Sequence, residues 1–212
     1  MDILIRNESV KDYRQVEELT REAFWNLYVP GCDEHYLAHL MRSHPDFLPQ
    51  LDFVAIKDDQ IVGNIMYAKS RLINEEKSEI AALTFGPVSI LPELQKKGIG
   101  SALIRHSIEA AVALGYEVIV IEGHPNNYCK HGFVGSKSVA VSDADGKYPY
   151  SLLVLELVKG CLHPHTWKFY PSDVYKVDEK GCQAFEKLFP AKEKGYRPSQ
   201  EEFKIASQAF LG

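Results

Sequence analysis

The residues with the clearest chemical character form one short segment, which consists of Gln95, Lys96, Lys97, Gly98, Ile99, Gly100 and Ser101. It joins an apolar run that ends at Ile90 to a predicted helix over residues 98–114. Successive backbone amides at the start of a helix attract anions, and glycine lets an anion approach the backbone closely. Together with the two lysines, the segment predicts a phosphate-binding loop.

Two other phosphate-binding motifs do not fit this spacing. A nucleotide P-loop places its lysine after the second glycine, whereas Lys96 and Lys97 precede Gly98. The dinucleotide-binding fingerprint needs a third glycine, and Leu103 stands at that position. The remaining alternative is a helix that simply begins with small residues.

The segment resembles the signature of the GNAT superfamily of coenzyme A-dependent N-acyltransferases. That signature is Gln or Arg, two residues, Gly, one residue, then Gly or Ala, between a bulged strand and a long helix, and residues 95–100 match it fully. The resemblance runs from Ile3 to about Val158. It implies an α/β (α+β) fold with a mixed, mainly antiparallel sheet, a bulged and splayed central strand, and helices on both faces.

The resemblance also implies an enzyme. Its activity would be transfer of an acetyl or other short acyl group from acetyl-CoA, the co-substrate, to an amine by direct attack in a ternary complex. The pyrophosphate of coenzyme A is expected on the amides of residues 97–101, with Gln95 and Lys96 lining the loop. Asn127 is expected to reach the amides of the pantetheine arm.

The bulged strand is expected to bind the pantetheine arm as an additional strand would, through the backbone of Val88 and Ile90, and Ser89 between them is also expected at the cofactor site. The residues support this independently, because Gly86-Pro87 interrupts the apolar run at that point. Proline cannot donate to a sheet ladder, and glycine marks bulges. Interrupted pairing leaves backbone amides free for a ligand.

Tyr128 is the candidate catalytic acid. It lies four residues before the pair Gly132-Phe133, as does the family's tyrosine that often protonates the departing thiolate. An unperturbed tyrosine pKa of about 10 lies near that of an alkyl thiol, so the proton transfer is nearly balanced. The alternative is a tyrosine packed at a helix–strand junction.

An ammonium group must lose a proton before its nitrogen can attack, so a general base is expected near the strand ends. Glu122, at the end of a fully apolar strand, is the first candidate, and His124 is the second. A solvated glutamate at a strand end is the alternative. Glu34 and His35 are candidates for the lining of the acceptor pocket. The alternative is an exposed helix start, where a glutamate in the first turn is favourable.

Apolar periodicity and turn residues predict the elements that position these groups. Two helices follow a first strand, and residues 51–56 and 61–69 form a hairpin. A long helix and a central strand come next. Residues 137–142 and 152–158 complete the strands.

Residues 1–159 are expected to form the acyltransferase domain, and residues 160–212 a C-terminal extension packed on it. An aromatic cluster in the extension favours docking, and it comprises Trp167, Phe169, Tyr170 and Tyr175. Ser199 and Glu202 have the spacing of a capping box at the start of the last helix. Whether the extension shapes the acceptor pocket or only supports the fold stays open.

Composition excludes several classes of protein. The net charge is −5 over 212 residues, which argues against nucleic acid and anionic membranes as partners. No apolar run approaches the roughly 18 residues of a membrane span, and the four cysteines form no Cys-x-x-Cys pair. We expect a cytoplasmic protein with free thiols. Cys161, His163 and His165 are too few for a metal site, so no metal is expected.

The acceptor is expected to be a small-molecule or peptide amine, and the sequence does not identify it. The sequence also leaves open whether the protein is a monomer or a homodimer. Two other function classes remain. A non-catalytic acyl-CoA-binding sensor would keep the cofactor site without turnover. An adaptor that works through its extension would not bind coenzyme A at all.

Overall fold

The central strands are near-continuous apolar runs because both faces of the sheet are covered. The computed structural model describes residues 2–212, and within them nine strands form one sheet. The strands are β1 (Leu4–Asn7), β2 (Phe53–Lys57), β3 (Gln60–Asn74), β4 (Glu79–Ile90), β5 (Val118–Glu122), β6 (Val134–Gly135), β7 (Val141–Ser142), β8 (Leu152–Glu156) and β9 (Trp167–Tyr170). The helices are α1 (Tyr13–Phe24), α2 (Glu34–Met41), α3 (Ile99–Ala113), α4 (Pro125–Tyr128), α5 (Glu179–Glu186) and α6 (Pro198–Gln208).

The sheet has the strand order β1-β2-β3-β4-β5-β8-β6. Along this path only β4 and β5 run parallel, and the other neighbours are antiparallel. The strand β9 pairs with the second half of β3, and β7 lies parallel to β9. The predicted mixed, mainly antiparallel sheet is confirmed.

Because successive side chains of a strand point to opposite faces of the sheet, the core is divided between those two faces. Phe53 and Ala55 of β2 point to the face covered by α3, whereas Val54 packs against Val16 of α1. Helix α2 lies beside α1 and buries Met41 in a cluster with residues of β3. The sheet therefore has helices on both faces, as the sequence predicts.

The C-terminal extension covers the part of the sheet that α1 and α2 leave bare. Leu162, Trp167 and Phe169 are buried against Val118 and Val120 of β5. The indole nitrogen of Trp167 donates a hydrogen bond to the carbonyl oxygen of Leu162, 2.7 Å away. Burying one large apolar side chain stabilises a fold by about 1.5–3 kcal/mol, so this contact is substantial. The extension thus shares the core of the preceding residues.

Two local predictions need correction. The strand predicted over residues 137–142 is a 3₁₀ turn at Ser136–Val139 followed by the short β7, because Ala140 adopts a left-handed φ of 53° that interrupts extended structure. Ser199 does not cap α6, which begins at Pro198. Its hydroxyl donates instead to the carbonyl oxygen of Leu27, 2.7 Å away.

The helices of residues 2–212 include none that is both long enough and apolar enough to cross a membrane.

Candidate active site

A cleft of about 540 Å³ opens beside the sheet where β4 and β5 separate. Its walls come from the end of α1, the start of α2, the second half of β4, the start of α3, the β5–α4 segment and the extension after β9. A volume of this size is typical of small-molecule and cofactor sites. It is the candidate active site.

The separation of the strands follows from the backbone of β4. The parallel ladder between β4 and β5 consists of one pair, Leu83 with Ile119. Further along β4, Gly86 and Pro87 together face one residue of β3, Met66, which is the arrangement of a β-bulge. The interruption predicted at Gly86-Pro87 is present, and β4 turns away from β5 beyond it.

The bulged strand presents alternate amides to the cleft. The amide of Leu91 donates to Val62 of β3, so the next pair in this antiparallel ladder that exchanges hydrogen bonds is Ser89 with Asn64. The amides of Val88 and Ile90 consequently point to the free edge. Ser89, which is also expected at the cofactor site, needs correction because its amide faces β3 and not the cleft.

The side chain of Ser89 also points away from the cleft. It is fully buried, and its hydroxyl donates to the hydroxyl of Thr20 on α1 at 2.9 Å. Val88 and Ile90 both line the cleft. Because successive residues of a strand point to opposite sides, only Val88 and Ile90 of the three predicted residues face the cleft.

The predicted phosphate-binding loop joins β4 to α3 with an irregular backbone. Lys96 and Gly98 have left-handed φ angles of 60° and 90°. The first hydrogen bond of α3 runs from the amide of Ala102 to the carbonyl of Gly98, so the preceding helical amides are free for a ligand. A Cβ at Gly98 would meet no atom within 4 Å, which shows that the space beside it is open.

The side chains of this loop have different positions. Gln95, Lys96, Gly100 and Ser101 line the cleft. Gln95 donates from Nε2 to the carbonyl oxygen of Ile90 at 3.2 Å and thereby ties the loop to the end of β4. Lys97 is exposed outside the cleft. The side chain of Ile99 is buried in the core under α3, which leaves only its amide for a ligand.

Tyr128, the predicted acid, ends α4 and lines the cleft. Its ring packs against Phe85 and Phe133, with centroid distances of 5.7 and 6.0 Å. Burial raises the pKa of its hydroxyl well above the usual range, and the nearby Tyr28 adds to the shift. The group therefore holds its proton at neutral pH.

Gly123 makes this placement possible and was missed by the sequence analysis. A Cβ at position 123 would overlap the ring of Tyr128 and lie 3.0 Å from its Cδ2. Only glycine allows the ring to lie so close to the backbone at the end of β5. The glycine between Glu122 and His124 was a visible signal, but its meaning depends on the fold.

Glu122 and His124, the two candidate bases, lie on either side of Gly123 and both line the cleft. Burial of the Glu122 carboxyl in the cleft wall raises its pKa, and the negative charge of Asp143 adds to the rise. The residue nevertheless remains open to solvent. The Nδ1 atom of His124 accepts a hydrogen bond from the amide of Asn126, 3.3 Å away, and so caps α4.

The two acceptor-pocket candidates on α2 have different positions. Glu34 lines the cleft, as does Asn127 from α4. His35 does not and needs correction, because it points into the core on the other side of α2. Its Nε2 lies 3.1 Å from an oxygen of Glu186 on α5, and burial lowers its pKa to about 4. His35 therefore joins the extension to α2 as a neutral side chain.

Several cleft residues carry no motif and were missed. They come from α1, α2 and the extension, and they are Phe24, Leu27, Tyr28, Leu37, Phe169, Pro171 and Tyr175. Because they are apolar residues at ordinary core spacing, the sequence does not distinguish them from the rest of the core. Tyr175 donates its hydroxyl proton to the carbonyl oxygen of Thr84 at 3.2 Å, which fixes its ring against β4.

The family of this chain follows from its similarity to known sequences. The sequence profile described as the acetyltransferase (GNAT) family matches residues 18–133, which is more than half of the chain. The chain belongs to the GNAT acetyltransferase family. The predicted membership is confirmed, and the matched range includes the bulged strand, the phosphate-binding loop and Tyr128.

Individual relatives agree with GNAT membership. An uncharacterized N-acetyltransferase, YjhQ of Escherichia coli, is 31% identical over 85 residues, which are 40% of this chain. The chain covers 46% of that protein, less than half of its length.

Two solved GNAT structures share the fold. YhbS of Escherichia coli, in complex with CoA, has a TM-score of 0.71 at 18% identity and aligns over 82% of this chain and 92% of its own. A GNAT acetyltransferase of Brucella melitensis, in complex with acetyl-CoA, has a TM-score of 0.64 at 22% identity, with coverages of 82% and 98%. At these identities the likeness shows the fold alone.

Proposed function

We propose that this GNAT protein transfers an acetyl or other short acyl group from acetyl-CoA to a primary amine, by direct attack in a ternary complex. One observation carries the proposal. The free amides of a bulged strand, an anion-binding helix start and Tyr128 all face the same cleft. The CoA and acetyl-CoA named for two structures of the same fold support it.

The residues that would hold the coenzyme follow from the geometry of the loop and the strand. The free amides at the start of α3, within residues 97–101, suit a pyrophosphate, and Lys96 adds a positive charge. The outward amides of Val88 and Ile90 suit the amide groups of the pantetheine arm. Asn127, on the opposite wall, is within the same cleft.

Acetyl-CoA would supply the acetyl group as a reactive thioester. The amide of Val88 would donate to the thioester oxygen, where negative charge develops. Glu122, or His124 in its place, would accept the proton that the amine nitrogen loses as its bond to the acetyl carbon forms. Tyr128 would give a proton to the sulfur as the C–S bond breaks. For a neutral amine, one proton is taken and one is given, and the products are an amide and a free thiol.

The raised pKa of Tyr128 is compatible with this role. Burial raises the pKa of the phenol because its anion loses solvation. The leaving thiolate in the same cleft loses solvation too, so the pKa of the thiol rises in the same direction. The two pKa values therefore remain comparable, and the proton transfer stays feasible.

The test compares Tyr128→Phe with Tyr116→Phe, a control at a half-buried tyrosine outside the cleft. Thiol release from acetyl-CoA is measured with a panel of amines, and acetyl-CoA affinity is measured separately. We expect Tyr128→Phe to lower kcat by about 100- to 10,000-fold with little change in Kd. Tyr116→Phe should change neither.

Two outcomes would contradict the proposal. Acetyl-CoA binding without turnover on any amine, including peptides, would favour the sensor. A loss well below tenfold in Tyr128→Phe, measured where chemistry limits the rate, would assign protonation of the sulfur to water or to another group.

A further inference from the structure

The cleft is divided by charge. Near the start of α3 its lining includes the cationic side chain of Lys96, and burial together with the positive charges of Lys130 and Arg105 lowers the pKa of His131. Its two carboxylates, Glu34 and Glu122, come from α2 and the end of β5. If the proposed function holds, phosphates occupy the first end and the acceptor amine the second.

Glu34 is the carboxylate that α2 contributes to the cleft. It is the first residue of α2, and its Oε2 accepts a hydrogen bond from the amide of Asp33 at 3.2 Å. Burial raises its pKa to about 7, with the charge of Asp33 as the next cause. Within residues 2–212 no lysine, arginine or histidine forms an ion pair with it. A half-buried carboxylate without a cation favours a cationic ligand.

The walls around Glu34 are apolar. They are formed by Ala23, Phe24, Leu27, Tyr28, Leu37, Phe169, Pro171 and Tyr175. None of these residues carries a charge, and the lining from α1, α2 and the extension contains no lysine, arginine or histidine. A carboxylate on the ligand would find no partner there, and unpaired buried charges are costly.

The C-terminal helix holds one of these walls in place. Phe203 of α6 stacks on Tyr28 with ring centroids 4.7 Å apart. The chain after α6 is tied to the segment before β8, because the amide of Leu211 donates to the carbonyl oxygen of Tyr148 at 2.8 Å. The extension therefore contributes to the acceptor end both directly and through Tyr28.

We propose that the acceptor is a primary monoamine with an aromatic or branched aliphatic body and without a carboxylate, and that Glu34 binds its ammonium group. The inference rests on the proposed function and names the substrate class of the same site. The half-buried carboxylate of Glu34 binds the ammonium group, and the apolar walls contact the body of the amine. The bound ammonium releases one proton to solvent before it attacks, and Glu122, beside Tyr128, accepts the second proton as the bond between nitrogen and the acetyl carbon forms.

Matched pairs of amines test this directly. 2-Phenylethylamine and phenylalanine differ only in the α-carboxylate. Pentylamine and 1,4-diaminobutane differ only in a methyl group that replaces an ammonium group. The assay is thiol release from acetyl-CoA by the full-length chain. We expect kcat/KM to be at least about tenfold higher for the first member of each pair, because a second charge in the apolar end is left unpaired.

Glu34→Gln tests the role of the carboxylate, and Asp33→Asn is the control, since Asp33 is exposed and does not line the cleft. We expect Glu34→Gln to raise KM for 2-phenylethylamine at least about tenfold, with a smaller effect on kcat and no change in the Kd of acetyl-CoA. Asp33→Asn should not raise KM, because removing the charge of Asp33 lowers the pKa of Glu34 and favours its carboxylate form.

The outcomes separate the two proposals. Equal or better use of phenylalanine or 1,4-diaminobutane, or an unchanged KM in a folded Glu34→Gln variant, overturns the substrate class and leaves acetyl transfer intact. Turnover with peptides in preference to both monoamines also overturns it. Failure to bind acetyl-CoA, or to use any amine, overturns the proposed function itself.

Discussion

Replacing Gly123 by alanine should move Tyr128 without changing any group that the proposed chemistry uses. The new Cβ would overlap Cε2 of the tyrosine ring and lie 3.0 Å from Cδ2, closer than carbon atoms pack in proteins. Restoring van der Waals contact requires a displacement of about 1 Å, and a misplacement of that size costs on the order of 100-fold in rate. We therefore expect kcat to fall about 100-fold.

The assay is steady-state thiol release together with acetyl-CoA binding, which should change little because the phosphate-binding loop is untouched. Gly135→Ala is the matched control. Its new Cβ would make an ordinary contact, 3.6 Å from Leu211 Cδ1, and it lies outside the cleft.

A double-mutant cycle shows whether Gly123→Ala acts through the tyrosine. If Tyr128 is the acid, Gly123→Ala should add little to the defect of Tyr128→Phe, because the proton is already lost. Full additivity of the two losses would refute this reasoning. So would an activity of Gly123→Ala within threefold of the control.

Three further predictions concern the loop, the pH response and the extension. Gly98→Asp should weaken acetyl-CoA binding at least about tenfold relative to Gly98→Asn, which shares its shape and left-handed backbone but not its charge; equal affinities would remove the loop from the phosphate site. His35 keeps a folded-state pKa of about 4, so from pH 7 to pH 5 the unfolded chain binds a proton that the folded chain does not. The free energy of unfolding should therefore drop by about 2 kcal/mol through this group, and denaturant titrations of His35→Gln should show a drop smaller by that amount; an identical drop would show that the buried imidazole is not responsible. Removal of residues 198–212 takes Phe203 off Tyr28, so a truncated chain first shown to be folded should have a raised acceptor KM and a nearly unchanged acetyl-CoA Kd; equal changes in both would indicate structural support only.

The cofactor side of the cleft was accessible from the sequence because its chemistry is local. Gly86-Pro87 predicts the bulge, and the spacing of Gln95, Gly98 and Gly100 predicts an anion-binding helix start. The backbone of Val88 and Ile90 is expected at the pantetheine arm, and the register between β3 and β4 leaves their amides unpaired. The same register excludes the amide of Ser89, which the sequence also assigns to the cofactor site.

The acceptor side was accessible only in part, because it is assembled from distant segments. Glu34 and His35 are neighbours on α2, and only the packing of α5 decides that His35 points into the core while Glu34 lines the cleft. Tyr28 and Tyr175 are ordinary apolar positions in the sequence. Nothing local shows that they meet in one pocket.

A crystal structure of the protein with coenzyme A bound would test the proposed site most directly. We expect the pyrophosphate on the amides of residues 97–101, the pantetheine arm along Val88 and Ile90, and the sulfur within about 3.5 Å of the Tyr128 hydroxyl. A coenzyme bound elsewhere, or a sulfur far from Tyr128 with the loop occupied, would contradict the assignment of this cleft as an acetyltransferase site.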